Sequence, residues 1–117
     1  MTAKMTDVEK IDLIKIIGTY YDVVYRKNLK DNKNDGLYGH IEFDELIIKV
    51  CSRYPALRQL QTILHESIHG ICQELDIEMC EHHVEVFSNA LFGYLLDNKV
   101  FIEMILNYKK GMDHESD

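Results

Sequence analysis

Residues 57–75 read LRQLQTILHESIHGICQEL, and the fold turns on this stretch. Leu57, Leu60, Leu64, Ile68, Ile71 and Leu75 recur at three- and four-residue steps, the spacing of one face of an α-helix. Pro55, the only proline in the chain, sits where a helix would begin. The spacing therefore predicts a helix over 57–75 that packs through this apolar stripe. His65 and His69 are four apart and lie one above the other. They fall on the flank of the stripe, with Glu66 further toward the polar side.

His65-Glu66-Ser67-Ile68-His69 is the pattern H-E-x-x-H. Two imidazoles one turn apart can clamp one metal ion, and the intervening Glu reaches a water on that metal. The pattern points to metal-assisted hydrolysis of a peptide bond. A catalytic zinc takes three protein ligands and leaves a position for water. The stretch Glu81-His82-His83-Val84-Glu85 offers the third. On a helix, Glu81 and Glu85 share a face beside Val84 and Leu91, while His82 and His83 point away. Glu81 is the expected ligand. Glu85, one turn on, is the expected outer carboxylate that accepts the free N–H of a zinc-bound His. The reverse assignment stays open, and His83 would need the helix to rotate. Cys72, three residues after His69, is a less favoured ligand than a carboxylate.

Working outward, Thr6-Asp7-Val8-Glu9 fits a capping box. Val8, Ile11, Leu13, Ile14 and Ile17 then predict a first helix ending near Gly18. Tyr20 to Tyr25 is rich in Tyr and Val and reads as a strand. Residues 28–36 read as a polar loop. His40-Ile41-Glu42-Phe43 alternates, Leu46 to Val50 is β-branched, and Asp44-Glu45 between them suggests a hairpin. Beyond the central helix, a second helix is expected from Cys80 to Leu96, with Val84, Phe87 and Leu91 buried. A last one is expected from Val100 to Tyr108, capped by Asp97-Asn98 and ending before Gly111. The final residues from Met112 read as a polar, frayed tail. The expected fold class is α+β: an N-terminal helix, a small sheet of about three strands, then three further helices.

The chain has 117 residues and forms a single domain on this reading, spanning residues 1–117. A net charge of −7 without a basic cluster argues against nucleic acid as partner. No apolar run approaches the roughly 20 residues of a membrane span. Asp7, Glu9, Lys10 and Asp12 break what would be a signal peptide's apolar stretch, so a cytoplasmic location is expected. Three cysteines, an odd number, with no C-x-x-C pair, argue against a disulfide framework. The last helix carries Val100, Phe101, Ile102, Met104, Ile105 and Leu106, apolar on most sides. It must be covered, in the core or in a homo-oligomer.

An H-E-x-x-H helix followed by Glu-x-x-x-Glu on the next, after a small sheet, resembles the compact zinc peptidases of the ImmA/IrrE type, the small gluzincins. Many of these are encoded by phages and mobile elements. The resemblance runs from Gly39-His40-Ile41-Glu42-Phe43 to about Asn98. Glu81 matches that family's ligand Glu, and Phe87 its Phe. Val84 and Glu85 depart from its Ala-Asn pair, and the spacing from His69 to Glu81 is short for it. The resemblance implies a minimal zincin-like hydrolase with Zn²⁺ as cofactor and a protein substrate, in some members a repressor-like regulator.

On this reading His65, His69 and Glu81 bind the metal and Glu66 is the general base. The oxyanion donor is to be found among Tyr20, Tyr21, Tyr38, His40 and Tyr54. Two other classes compete. One is a non-catalytic zinc-binding regulator on the same scaffold, and the other a metal-free α+β interaction module. The retained Glu66 argues against the first, because a structural site needs no base.

Overall fold

A computed structural model of the chain describes residues 10–30 and 36–115, the last three by backbone only. The capping box at Thr6 lies outside these residues. From Leu13 on, the expected first helix is instead a strand. Strand β1 (Leu13–Ile16) pairs antiparallel with β2 (Thr19–Arg26). The apolar spacing of this stretch also reads as alternation, with Ile16 buried and Lys15 exposed. Ile16 pairs with Thr19, so the loop is just Ile17 and Gly18. Both have positive φ, 46° and 84°. That is the two-residue turn whose twist matches the flanking strands. Pairing with β2 thus overrides a helical spacing that needs the chain to continue straight through Gly18.

Strands β3 (Gly39–Glu42) and β4 (Ile47–Cys51) form the second hairpin, joined by the turn Phe43–Leu46 that brackets Asp44-Glu45. The sheet order is β1-β2-β4-β3, with β2 and β4 parallel at its centre and an antiparallel pair on each side. This leaves β3 at an edge. Three helices follow: α1 (Ala56–Leu75), α2 (Glu81–Asp97) and α3 (Lys99–Glu115). The architecture is α+β, with four strands because the residues read as a first helix supply β1.

Helix α1 lies across β1, β3 and β4. Its buried face is not the leucine stripe. Of that stripe Ile68 is buried, beside Gln59, Thr62, Ile63, Glu66, Ser67 and Gly70, whereas Leu57 and Leu75 at its ends are 55% and 52% exposed. Small residues on this face let the helix approach the sheet closely, and the polar ones are satisfied locally. The hydroxyls of Thr62 and Ser67 donate to the carbonyls of Arg58 and Ile63 at 2.8 and 2.7 Å. The Gln59 amide donates to the Tyr54 carbonyl at 2.8 Å. Bonding of this kind removes most of the desolvation cost of burying polar groups. The core that results joins Ile16, Tyr21, Val23, Ile41, Ile48 and Val50 of the sheet to Ile63 of α1.

Helix α2 packs on α1 through Val84 and Ser88, both buried, while Phe87 is exposed, contrary to the expected pattern. One residue, Asn98, separates α2 from α3. Its backbone carbonyl accepts from the Ile102 N–H and its side-chain amide donates to the Tyr94 carbonyl. Helix α3 runs on through Gly111 and Met112, past its expected end. It packs chiefly on α2 and leaves Val100, Phe101, Met104 and Ile105 exposed. Its apolar sides are therefore not covered within the described chain. Among the described residues no helix is long and apolar enough to cross a membrane.

Ile17 is β-branched and exposed in a left-handed conformation, which costs about 1–2 kcal/mol for such a residue. Ile17→Asn should therefore raise unfolding stability by about 1 kcal/mol, because Asn-Gly favours this turn. Urea unfolding measures it, and a less stable variant would contradict the turn assignment.

Candidate metal centre

Asp76 ends α1 in a left-handed conformation, its N–H returning to the carbonyls of Cys72 and Gln73. The chain then turns back and starts α2 at Glu81, beside the middle of α1. His65 Nε2 and Glu81 Oε1 are 2.7 Å apart, and His69 Nε2 and Glu81 Oε2 2.8 Å. The two imidazoles converge on one carboxylate, with one donor atom from each residue all within 4.8 Å of one another. Zn–N lengths of about 2.0–2.1 Å place tetrahedral ligands about 3.3 Å apart. The Glu81 carboxylate would need to retreat by about half an ångström to admit an ion between the three. Its side chain is 68% exposed and free to do so. Two imidazole nitrogens and a carboxylate oxygen thus fit a divalent metal such as zinc.

A metal on Nε2 leaves the imidazole proton on Nδ1, where it needs an acceptor. His65 Nδ1 faces Ser88 Oγ at 3.4 Å and Glu85 Oε2 at 3.7 Å. Ser88 is thus the nearer partner. Its hydroxyl is held by donation to the Glu85 carbonyl at 3.1 Å. The sequence reading named Glu85 and missed Ser88, although Ser88 lies seven residues after Glu81 on the same helical face. His82 and His83 are exposed and stack on each other, outside the cluster. Cys72 is not among the converging residues, and Cys51 and Cys80 are free thiols elsewhere.

Glu66 is 8% exposed, so it does not face the polar side expected of it. It points between α1 and the edge strand, where Gly39 makes room. A Cβ on Gly39 would come within 2.3 Å of Thr62 Cγ2 and 3.6 Å of Glu66 Cγ. Burial, and secondarily the negative charge of Glu81, push the Glu66 carboxyl up to about 8. A cation held by Glu81 would oppose the second cause. Gly70 serves a related purpose. A Cβ there would press on Ile16 Cδ1 at 2.7 Å and Ile41 Cδ1 at 3.3 Å, so it admits sheet side chains, not a substrate or another backbone.

Two depressions flank the cluster. One, of about 140 Å³, is lined by Tyr38, Gly39, Arg58, Thr62, Glu66 and Glu85 among others. The other is a more open groove of about 710 Å³ that includes Phe43, His69, Cys72, Ile77 and Met79. They lie near opposite ends of edge strand β3. Of the five candidate oxyanion donors, Tyr38 lines the first cavity. Tyr21 is buried in the core, Tyr20 and His40 are exposed, and Tyr54 stacks on the Tyr38 ring. The chain matches no family model, no curated protein and no solved structure.

The buried Glu66 makes metal-free stability depend on pH. Its folded pKa lies above the ordinary value of 4.5, so the native state holds a proton that the unfolded chain releases. The stability this carboxyl permits is fully present below 4.5 and is lost as pH rises to about 8. Glu66→Gln removes that titration. In chelator-treated protein, the variant should gain on the wild type by up to a few kcal/mol between pH 5 and 8. Thermal melts at the two pH values read the gap; a gap that does not change with pH would refute burial as the cause.

Proposed function

We propose that the chain is a zinc-dependent metallopeptidase that hydrolyses a peptide bond in a protein or peptide substrate. The observation that carries this reading is Glu66 buried beside a converging His65–His69–Glu81 set at the junction of two clefts. A purely structural site has no use for a costly buried carboxyl at that point.

His65 Nε2, His69 Nε2 and a Glu81 oxygen would hold Zn²⁺, which when bound supplies Lewis acidity and lowers the pKa of water from about 15.7 toward about 7. Glu66 accepts a proton from the attacking water as its oxygen bonds to the scissile carbonyl carbon. It then delivers that proton to the amine nitrogen as the C–N bond breaks. Ser88 and Glu85 hold the His65 ring in place through Nδ1. Among the described residues, edge strand β3 has an unpaired side, and an extended peptide laid beside it would pass from one depression to the other.

A second reading is a non-catalytic zinc-binding regulator. The exposed apolar residues of α3 favour it, since such surfaces mark interaction sites.

Metal content and hydrolysis, measured on the same preparations, test both. Glu66→Gln should keep stoichiometric zinc while cleavage of a mixed peptide library falls by about 10²–10⁴-fold. Unchanged cleavage would sink Glu66 as base, and a wild type that binds zinc but cleaves nothing would favour the regulator. His65→Ala with His69→Ala should abolish zinc binding. Glu81→Ala should weaken it more than Glu85→Ala, for which a loss of about 10–100-fold is expected of an outer contact. The opposite order would make Glu85 the ligand.

A further inference from the structure

Among the described residues, Arg58 is the only Lys or Arg lining either depression. It lies seven residues before His65, hence on a similar side of α1 and about 10 Å away along the helix axis. Its guanidinium carbon stands 4.7 Å from the centre of the Tyr38 ring. Tyr38 is itself braced by Tyr54, with ring centres 4.6 Å apart. A guanidinium drawn to a ring face keeps N–H donors that can serve a second partner. Among the described residues no carboxylate forms an ion pair with Arg58. Arg58 thus presents to the cavity a cation without a carboxylate partner among the described residues, in a chain of net charge −7.

We propose that Arg58, held by Tyr38 and Tyr54, forms a carboxylate-binding subsite that selects Asp or Glu in the polypeptide substrate. This rests on the peptidase reading for what the substrate is, but not for how the subsite binds. The N–H edge of Arg58 can grip both carboxylate oxygens at once. An extended chain advances about 3.3 Å per residue, so the acidic residue sits about two or three positions from the scissile bond. Gln61 and Asn89 also line the cavity and offer neutral amides that can add polar contacts. Arg58 is the positive group there that would attract an acidic side chain, while Glu85 lines the same cavity close to His65.

The test is binding first and cleavage second. An array of short peptides carrying Asp or Glu, their Asn or Gln counterparts, or Lys at each position is probed with zinc-treated full-length protein. The wild type should retain the acidic peptides about tenfold better than the amide counterparts, the worth of a charge-assisted bidentate contact. Arg58→Met should erase that preference, and Arg58→Glu should turn it toward Lys. Tyr38→Ala should weaken it while leaving zinc content unchanged. No acidic preference in the wild type, or the same preference in Arg58→Met and Arg58→Glu, overturns the inference. Mass spectrometry of the same peptides separates the two readings. Acid-selective binding without cleavage would leave the subsite standing and remove the peptidase, and cleavage without acid selectivity would do the reverse.

Discussion

Glu66 occupies a close approach between α1 and the first residue of the edge strand. Its position depends on Gly39, which lacks the Cβ that would strike Thr62, and on a helix face built of Thr62, Ser67 and Gly70. A carboxyl in such a gap is poorly hydrated, and its proton affinity rises accordingly. The same close approach orients α1 about its own axis. Once Glu66 points at the sheet, His65 and His69 must turn toward α2, one step further round. The convergence on Glu81 is thus a consequence of how tightly the helix meets the strand.

The second helix completes the geometry by a different route. Val84 is fully buried and anchors α2, and its neighbours one turn either way, Glu81 and Ser88, are carried to opposite sides of the His65 ring. One imidazole is therefore held through both nitrogens. Such bracing restricts the ring to one orientation, which costs a flexible pair of helices little but is valuable for a ligand. The clefts to either side follow from the edge position of β3, which no further strand covers among the described residues.

Much of this was legible in residue spacing. His65, Glu66, His69 and the Glu81–Glu85 pair could be found from the four-residue repeat alone, because that repeat is a property of any helix. The helix itself was legible too, to within a residue at its start. What misled was its leucine stripe. Leu57, Ile71 and Leu75 look like a core face, yet of that stripe only Ile68 is buried, on a side that also holds Gln59, Thr62, Ile63, Glu66 and Ser67. Periodicity reports which residues share a face, not which face the sheet will take. Close approach favoured the side with small residues, and local hydrogen bonds removed the penalty for burying their polar groups. Residues 13–16 show the converse error: their spacing suits a helix, but the turn at Ile17-Gly18 and the partner strand β2 make them a strand.

The sequence by itself determined the α+β class, the two long helices after the sheet, and a set of residues able to meet on one metal. It did so because helix and strand periods, and the spacing of ligands on a helix, are local properties of the chain. The tertiary structure alone decided that Glu66 is buried, that Ser88 stands nearer His65 than Glu85 does, and that Tyr38 lines the cavity while Tyr21 fills the core. It also decided that Arg58 meets Tyr38, which in turn contacts Tyr54. Each of these is a contact between segments far apart in sequence. Such contacts depend on how faces pack, and a repeat within one segment carries no record of them.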